Sequence, residues 1–399
     1  MKVLVVNKFY YNRGGDCVCT INLERMLREN GCETAVFSMS YPQNLPTGYS
    51  SMFAKEVEFS GGLGRRLKAA ARIFGGESVR SAFGKVLERF RPDVVHFNNI
   101  HSYLSPAVVE MAKKFGARTV WTLHDYKLIC PSYSCLHGKE ICEKCVGGSK
   151  FNVVKNRCMK GGLPGSILAC LEAMYWNRGR LQRCTDVFVC PSRFMAGMMI
   201  KDGFDPMKLK VVCNSVSPGM VDGIQPGKER EPYYIYVGRL SKEKGVETLL
   251  SVAEDLPYEL KIAGGGPLFD ALKSRYSSGK IEFLGHLDAA AVKKYVSGAR
   301  FSVVPSECYE NNPLSVIESL CLGTPVVGAR IGGIPELVTP GNGFLFRPAD
   351  KVSLRNTVET AWETAFDYDG ISKEALVKFS EQRYLGEIMD IYGSTGRTN

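Results

Sequence analysis

Glu310 and Glu318 stand with seven residues between them in FSVVPSECYENNPLSVIESLCLGTPVVGARIGGIPELV. Two carboxylates so spaced, on either side of a strand-to-helix turn, can address opposite ends of one bound ligand. Phe301 to Pro305 reads as a short buried strand. Pro313 then sits where a helix begins, because proline's fixed φ suits the first helical turn. Glu310 falls just outside that helix and Glu318 within it. The free amide N–H groups at the helix start, reinforced by the helix dipole, favour an anion and a phosphate above all.

Two cations precede this stretch. Arg239 and Lys244 lie in VGRLSKEKG, directly after an apolar run, where a loop can aim both outward from a strand end. A planar guanidinium fork beside a compact ammonium can hold a diphosphate and stabilise charge gathering on it without a metal. Gly264, Gly265 and Gly266 in KIAGGGPLFD close the turn of a further strand-loop-helix unit, which is weak evidence by itself. Nearer the amino terminus, His124 ends TVWTLH and is followed by Asp125, so it can exchange protons or hydrogen bonds near neutral pH. Gly14 and Gly15 follow the first strand in NKFYYNRGGD, with Asp16 expected to cap the helix carrying Ile21, Leu23 and Leu27. No third glycine follows at the spacing of a dinucleotide fingerprint. His96, His101, Asn98 and Asn99 are weaker candidates and stand outside the catalytic set.

The elements that must position these residues alternate. KVLVVN, TAVFSM, PDVVHFNN, ARTVWTLH, DVFVCPS and KLKVVCNS are separated by helical patterns, and a second series runs from YYIYVGRL to NGFLFR. Such alternation predicts parallel sheets with helices on both faces. The Gly, Pro and charge content of SPGMVDGIQPGKEREP places the boundary between the halves near residue 217. The chain has 399 residues, 45% of them apolar, with a net charge of +10, which suits a globule of two cores rather than a disordered chain. No apolar run reaches the ~18 residues that span a bilayer, and the chain opens on a strand rather than a signal peptide, so a cytoplasmic protein is expected. The 14 cysteines are then expected to be mostly reduced, several as small core fillers.

YIYVGRLSKEKGVETLL and the stretch around Glu310 and Glu318 together resemble signatures of the retaining GT-B glycosyltransferases, the group 1, family 4-like enzymes that include sucrose, lipopolysaccharide and phosphatidylinositol mannosyl transferases. The resemblance is strongest from Tyr234 to Phe346 and weakest from Tyr41 to Arg91. It implies two facing Rossmann-like domains with parallel sheets and an interdomain cleft: residues 1–217, joined by a terminal helix at about 378–399, for the acceptor, and residues 218–377 for a nucleotide-sugar donor. In that family pattern Glu318 accepts hydrogen bonds from the ribose and Glu310 faces the donor sugar. Arg239 and Lys244 hold the diphosphate. Amides around Asn311, Asn312 and Leu314 meet phosphate and sugar, Gly265 lies beside the base, and the Gly14–Gly15 loop lies near the donor phosphates. His124 matches the family's active-site histidine. The implied reaction moves a sugar from a UDP- or GDP-sugar to a glycan or lipid-linked acceptor in surface-polysaccharide assembly, with retention and without a catalytic metal. A nucleotide-sugar epimerase of the same architecture and a non-catalytic nucleotide-sugar-binding subunit are the competing readings.

Two features exceed that pattern. Cys130, Cys135, Cys142, Cys145 and Cys158 crowd the segment after His124. The CxxC of Cys142 and Cys145 is half a zinc knuckle, which Cys130 or Cys135 together with Cys158 would complete; Cys130, Cys142, Cys145 and Cys158 form the candidate set, with free thiols or a redox pair as the competing reading. Between Arg65 and Arg91 there are eight basic and two acidic residues. Leu63, Leu67, Ala70 and Phe74 share a helical face there while Arg65, Lys68 and Arg72 lie elsewhere, the arrangement of a helix that rests on an anionic membrane. No aromatic-rich nucleic-acid motif accompanies the patch, and no nucleic-acid partner is expected.

Overall fold

The structure, a computed structural model, describes residues 1–57, 69–159, 162–223, 229–276 and 279–393. The chain forms two compact units. The first comprises Met1–His137, Cys142–Val212 and Leu385–Asn399, and the second Gly138–Ile141 and Cys213–Tyr384.

The first unit is built on β1 (Lys2–Val6), β2 (Glu33–Phe37), β3 (Val94–Phe97) and β4 (Arg118–Thr122). A short hairpin, β5 (Leu136–His137) and β6 (Glu140–Ile141), marks the cysteine-rich segment, and β7 (Val187–Cys190) and β8 (Leu209–Val211) complete the sheet. Its six strands run in the order β2-β1-β3-β4-β7-β8, all parallel. Val3 to Val6 are buried without exception, as are all four residues of β3 and of β7, because helices cover both faces and leave no solvent side for polar alternation. The order jumps between β1 and β3. At such a switch point the loops beyond the strand ends diverge and leave a crevice.

The second unit repeats the plan with β9 (Tyr233–Val237), β10 (Glu259–Ala263), β11 (Ile281–Gly285), β12 (Ser302–Val304), β13 (Val326–Ala329) and β14 (Gly343–Phe346). Their order is β11-β10-β9-β12-β13-β14, again all parallel, with the switch between β9 and β12. Tyr234 and Phe301 stack at 5.3 Å in its core. Every candidate residue named above from Arg239 to Glu318 follows β9, β10 or β12.

Three local expectations change. The cap position of the helix Gly15–Glu29 is Gly14, in extended conformation, with no side-chain cap. Asp16 therefore sits inside the first turn and its carboxylate is free to reach Asn99. Arg72 does not belong to a basic side open to a membrane: it is buried, and its guanidinium donates to the carbonyls of Lys55 (2.6 Å) and Tyr103 (3.4 Å). Arg65, Arg66, Lys68, Leu63 and Leu67 lie outside the described residues. His96 is structural. Its ring bridges Tyr392 OH (2.6 Å), on the terminal helix Glu381–Gly393, and Thr122 Oγ1 (2.7 Å) on β4, and burial pushes its pKa down to about 3. Among the described residues, no helix is long and apolar enough to cross a membrane.

Candidate functional site

In the second unit the loops after β9 and β10 are fastened together. Gly238 N–H donates to Ala263 O at 3.0 Å and Leu240 N–H to Gly265 O at 2.8 Å. This closeness explains two of the three glycines. Gly264 (φ +133°) and Gly266 (φ +150°) have conformations that L side chains rarely adopt, and a Cβ on them would lie 2.0 Å from Gly238 O and 2.5 Å from Leu240 O. Around Gly265 there is open space instead, with nothing within 4 Å of where its Cβ would be.

Lys244 closes a short 3-10 turn, Lys242–Lys244, and Nζ reaches Glu310 Oε1 at 2.6 Å, linking the loop after β9 to the loop after β12 across the switch point. Ser306 Oγ donates to the same oxygen at 2.6 Å. Burial draws the Lys244 pKa down, but the Glu310 carboxylate more than reverses this and leaves it above the usual lysine value. Arg239 is 65% exposed at its side chain and is oriented by Glu243, Nη2 to Oε1 at 2.5 Å, while Ser241 Oγ donates to the same Glu243 oxygen at 2.8 Å. Glu310's backbone is also fixed. Its carbonyl accepts from Gly333 N–H at 2.7 Å, and a Cβ on Gly332 (φ +59°) would come within 2.2 Å of it.

The helix Leu314–Cys321 begins after Pro313, so the amides of its first turn mark an anion-favouring helix end. Asn312's side chain is committed elsewhere, with Oδ1 accepting from Asn214 N–H at 3.0 Å. Glu318 is half-buried and accepts no hydrogen bond at its carboxylate among the described residues. Desolvation raises its pKa to about 7, poising it between acid and carboxylate at neutral pH.

The first unit gathers a second polar cluster around its own switch point. His124, just beyond β4, bonds through Nε2 to Asn98 Oδ1 at 2.9 Å, so a neutral ring donates there and leaves Nδ1 as an acceptor. Burial holds the His124 pKa below its usual value. Asn99 Nδ2 donates to Asp16 Oδ2 at 3.1 Å. Burial would raise the Asp16 pKa, but His124, Lys8 and the Asn99 bond together hold it low. Lys8 is depressed by burial, with Asp125 and Asp16 opposing. His101 lies against Trp121 (5.3 Å between rings) and 3.8 Å from Asp125 Oδ1, and burial lowers its pKa to about 3. Sequence reasoning overlooked Lys8, Glu243, Ser306 and the Gly332–Gly333 pair. Only IGG, in a stretch already singled out, offered a signal.

In the cysteine loop, Cys130 Sγ lies 3.2 Å from Ser132 Oγ, and a hydrogen bond from Cys135 is the main cause that draws the Cys130 pKa to about 5. Cys145 is electrostatically coupled to Cys130, Cys158 and Cys142, yet among the described residues no three His, Cys, Asp or Glu side chains are gathered as a metal ion requires.

Residues 13–219 match the family described as Glycosyltransferase Family 4, and residues 223–376 the family Glycosyl transferases group 1. Sulfoquinovosyl transferase SQD2 of Arabidopsis thaliana is 40% identical over 131 residues, 31% of this chain and 25% of that protein. A 42.6 kDa protein of the Klebsiella pneumoniae cps region is 26% identical over 75% of this chain and 74% of its own length. The chain thus spans a quarter of the first relative and about three quarters of the second. Among solved structures, sucrose-phosphate synthase of Thermosynechococcus elongatus superposes with a TM-score of 0.71 at 18% identity, covering 98% of both chains. HepE of Anabaena, in complex with UDP and glucose, gives 0.66 at 18% identity over 99% of this chain and 100% of that one. These structural likenesses show the GT-B fold.

Proposed function

The chain belongs to the glycosyltransferases, with a Family 4 half followed by a group 1 half, and from that premise we propose that it moves a sugar from a nucleoside diphosphate sugar to a lipid-linked glycan in surface-polysaccharide assembly. The observation that carries this reading is the Lys244–Glu310 pair, 2.6 Å apart beside Arg239 at the switch point of the second sheet.

Arg239 and Lys244 would hold the donor's diphosphate. As the bond from the anomeric carbon to the diphosphate oxygen breaks, that oxygen gains negative charge, which a guanidinium and an ammonium already in place stabilise more than they stabilise the intact donor. Glu310, fixed at both carboxylate and carbonyl, would orient the sugar hydroxyls. Glu318 would accept from the ribose, its anionic form favoured by the hydroxyl donors it now lacks. His124 would meet sugar or acceptor from the first unit.

Retention follows the family resemblance. No carboxylate of these motifs stands out as a nucleophile, so the departing phosphate is assigned the acceptor's proton. UDP- and GDP-sugars are the leading donors, and the HepE complex with UDP supports the first. A cytoplasmic enzyme is the corresponding setting.

Calorimetry with UDP, GDP, ADP and TDP tests the reading without knowledge of the acceptor. One nucleotide that binds tightly to the wild type and at least tenfold more weakly to Glu318→Ala supports it. If none of the four binds, the donor site is refuted.

A further inference from the structure

The helix Leu163–Tyr175 presents the wrong face to water. An ordinary surface helix buries its apolar stripe and exposes polar residues. Here the exposed side chains are Leu163, Pro164, Ile167, Leu171, Met174 and Tyr175, and no charged residue of the helix is exposed among them. Leu163, Ile167 and Leu171 succeed one another at intervals of four, with Met174 and Tyr175 one turn on, so they form a single stripe along a 13-residue helix about 20 Å long. Met174 is 62% exposed. The short helix Asn152–Lys155 packs beside it, and Phe151 at its start is also 62% exposed. The helix's one acidic residue, Glu172, is on the buried side, where it takes Lys127 Nζ at 2.9 Å and Ser102 Oγ at 3.1 Å.

The charge along the chain flanking this stripe is mostly basic, although Arg180, over the Tyr175 ring, is paired with Glu110 and Lys150 with Asp202. From Ser149 to Cys184 the sequence has seven Lys and Arg against Glu172 alone. Lys155, Arg157, Arg178 and Arg183 are exposed. Contiguous exposed apolar surface marks an interaction site, and a stripe of Leu, Ile, Met and Tyr rimmed by cations matches the boundary of an anionic bilayer. A second copy of the chain would bring two such basic rims together and be repelled.

We propose that the helix Leu163–Tyr175 is the element by which this protein sits on an anionic membrane surface, its stripe in the headgroup-acyl boundary and its basic rim against the lipid phosphates. The inference rests on the reading of a lipid-linked acceptor. The helix also connects the two places physically: Glu172 on its inner face holds Lys127, three residues after His124.

Sedimentation with vesicles of 30% phosphatidylglycerol in phosphatidylcholine, at low salt, tests it on the full chain. Binding is expected to the anionic vesicles and to fall at least tenfold with pure phosphatidylcholine or in Leu171→Glu. Leu171→Trp is expected to show a blue-shifted emission quenched by brominated lipid. No binding by the wild type, binding unchanged in Leu171→Glu, or an unquenched tryptophan overturns the proposal, as does a concentration-dependent dimer abolished by Leu171→Glu without any vesicle binding. Nucleotide calorimetry on the same Leu171→Glu protein keeps the two claims separate, since retained nucleotide affinity shows a folded protein with the donor reading intact.

Discussion

Lys244 Nζ and Glu310 Oε1 meet at 2.6 Å, two residues 66 positions apart held by loops that leave adjacent parallel strands in opposite directions. Removing the lysine leaves a partly buried carboxylate with, among the described residues, only Ser306 as partner. Lys244→Ala is expected to lower turnover roughly 10²-fold or more, on the order of 3 kcal/mol, and to cost about 1–3 kcal/mol of stability as well. Denaturant unfolding alongside a donor-hydrolysis or transfer assay checks both. A variant with wild-type turnover would remove Lys244 from the mechanism.

Arg239 offers the cleaner separation. Its exposed pair with Glu243 is worth little to stability, within about 0.5 kcal/mol. Arg239→Ala should therefore melt as the wild type does while turnover falls roughly 10²-fold. A loss of stability without a loss of turnover would make it a structural residue only.

Glu318 titrates with a pKa of about 7, against 4.5 ordinarily. The folded state thus holds this proton more tightly than the unfolded chain, so stability should fall as pH rises from about 4.5 to about 7, by at most on the order of 3 kcal/mol. Glu318→Gln should flatten that slope, which unfolding at several pH values reads directly. If ribose hydroxyls donate to the carboxylate, nucleotide binding should strengthen with rising pH and release a proton near pH 6.5, seen by calorimetry in buffers of different ionisation enthalpy.

The two histidines should fail differently. His96→Ala strips Tyr392 and Thr122 of a buried partner and is expected to destabilise by about 2–4 kcal/mol. His124→Ala should cost about 10²-fold or more in turnover with a smaller stability change. The reverse pattern would exchange their roles.

For the cysteine loop we propose zinc at Cys130, Cys142, Cys145 and Cys158 on the CxxC spacing alone, since the side chains are not drawn together around a metal. Elemental analysis of protein purified without chelator should find about one zinc per chain, and Cys145→Ser should abolish it. Far less than one zinc, with five titratable thiols in the loop, favours free cysteines.

Two parallel sheets were legible from alternating apolar runs, because strands covered on both faces must be apolar throughout, as KVLVV and VFVC are. The strand order was not, since nothing local in β1 or β3 records which neighbour pairs with it. Arg239, Lys244 and Glu310 were legible because charged residues directly after apolar runs fall at strand ends. Ser306 and Glu243 were hidden, as any serine or surface glutamate is, until the backbone brought them to Glu310 and Arg239. Asp16 was misread as a cap because spacing alone cannot tell the position before a helix from its first turn. Arg72 was misread as part of a membrane-facing basic side because the carbonyls of Lys55 and Tyr103 that receive it are distant in sequence.

His96 waits for a late partner. Tyr392 comes 296 positions after it, and the first unit reclaims the chain only from Leu385, after the entire second unit has been made. A ribosome adding about 5–20 residues per second would leave the first sheet without that covering helix for several seconds or more while the second unit emerges. A nonsense codon or frameshift between codons 385 and 392 would spare every donor-side residue and still leave the first unit unfinished.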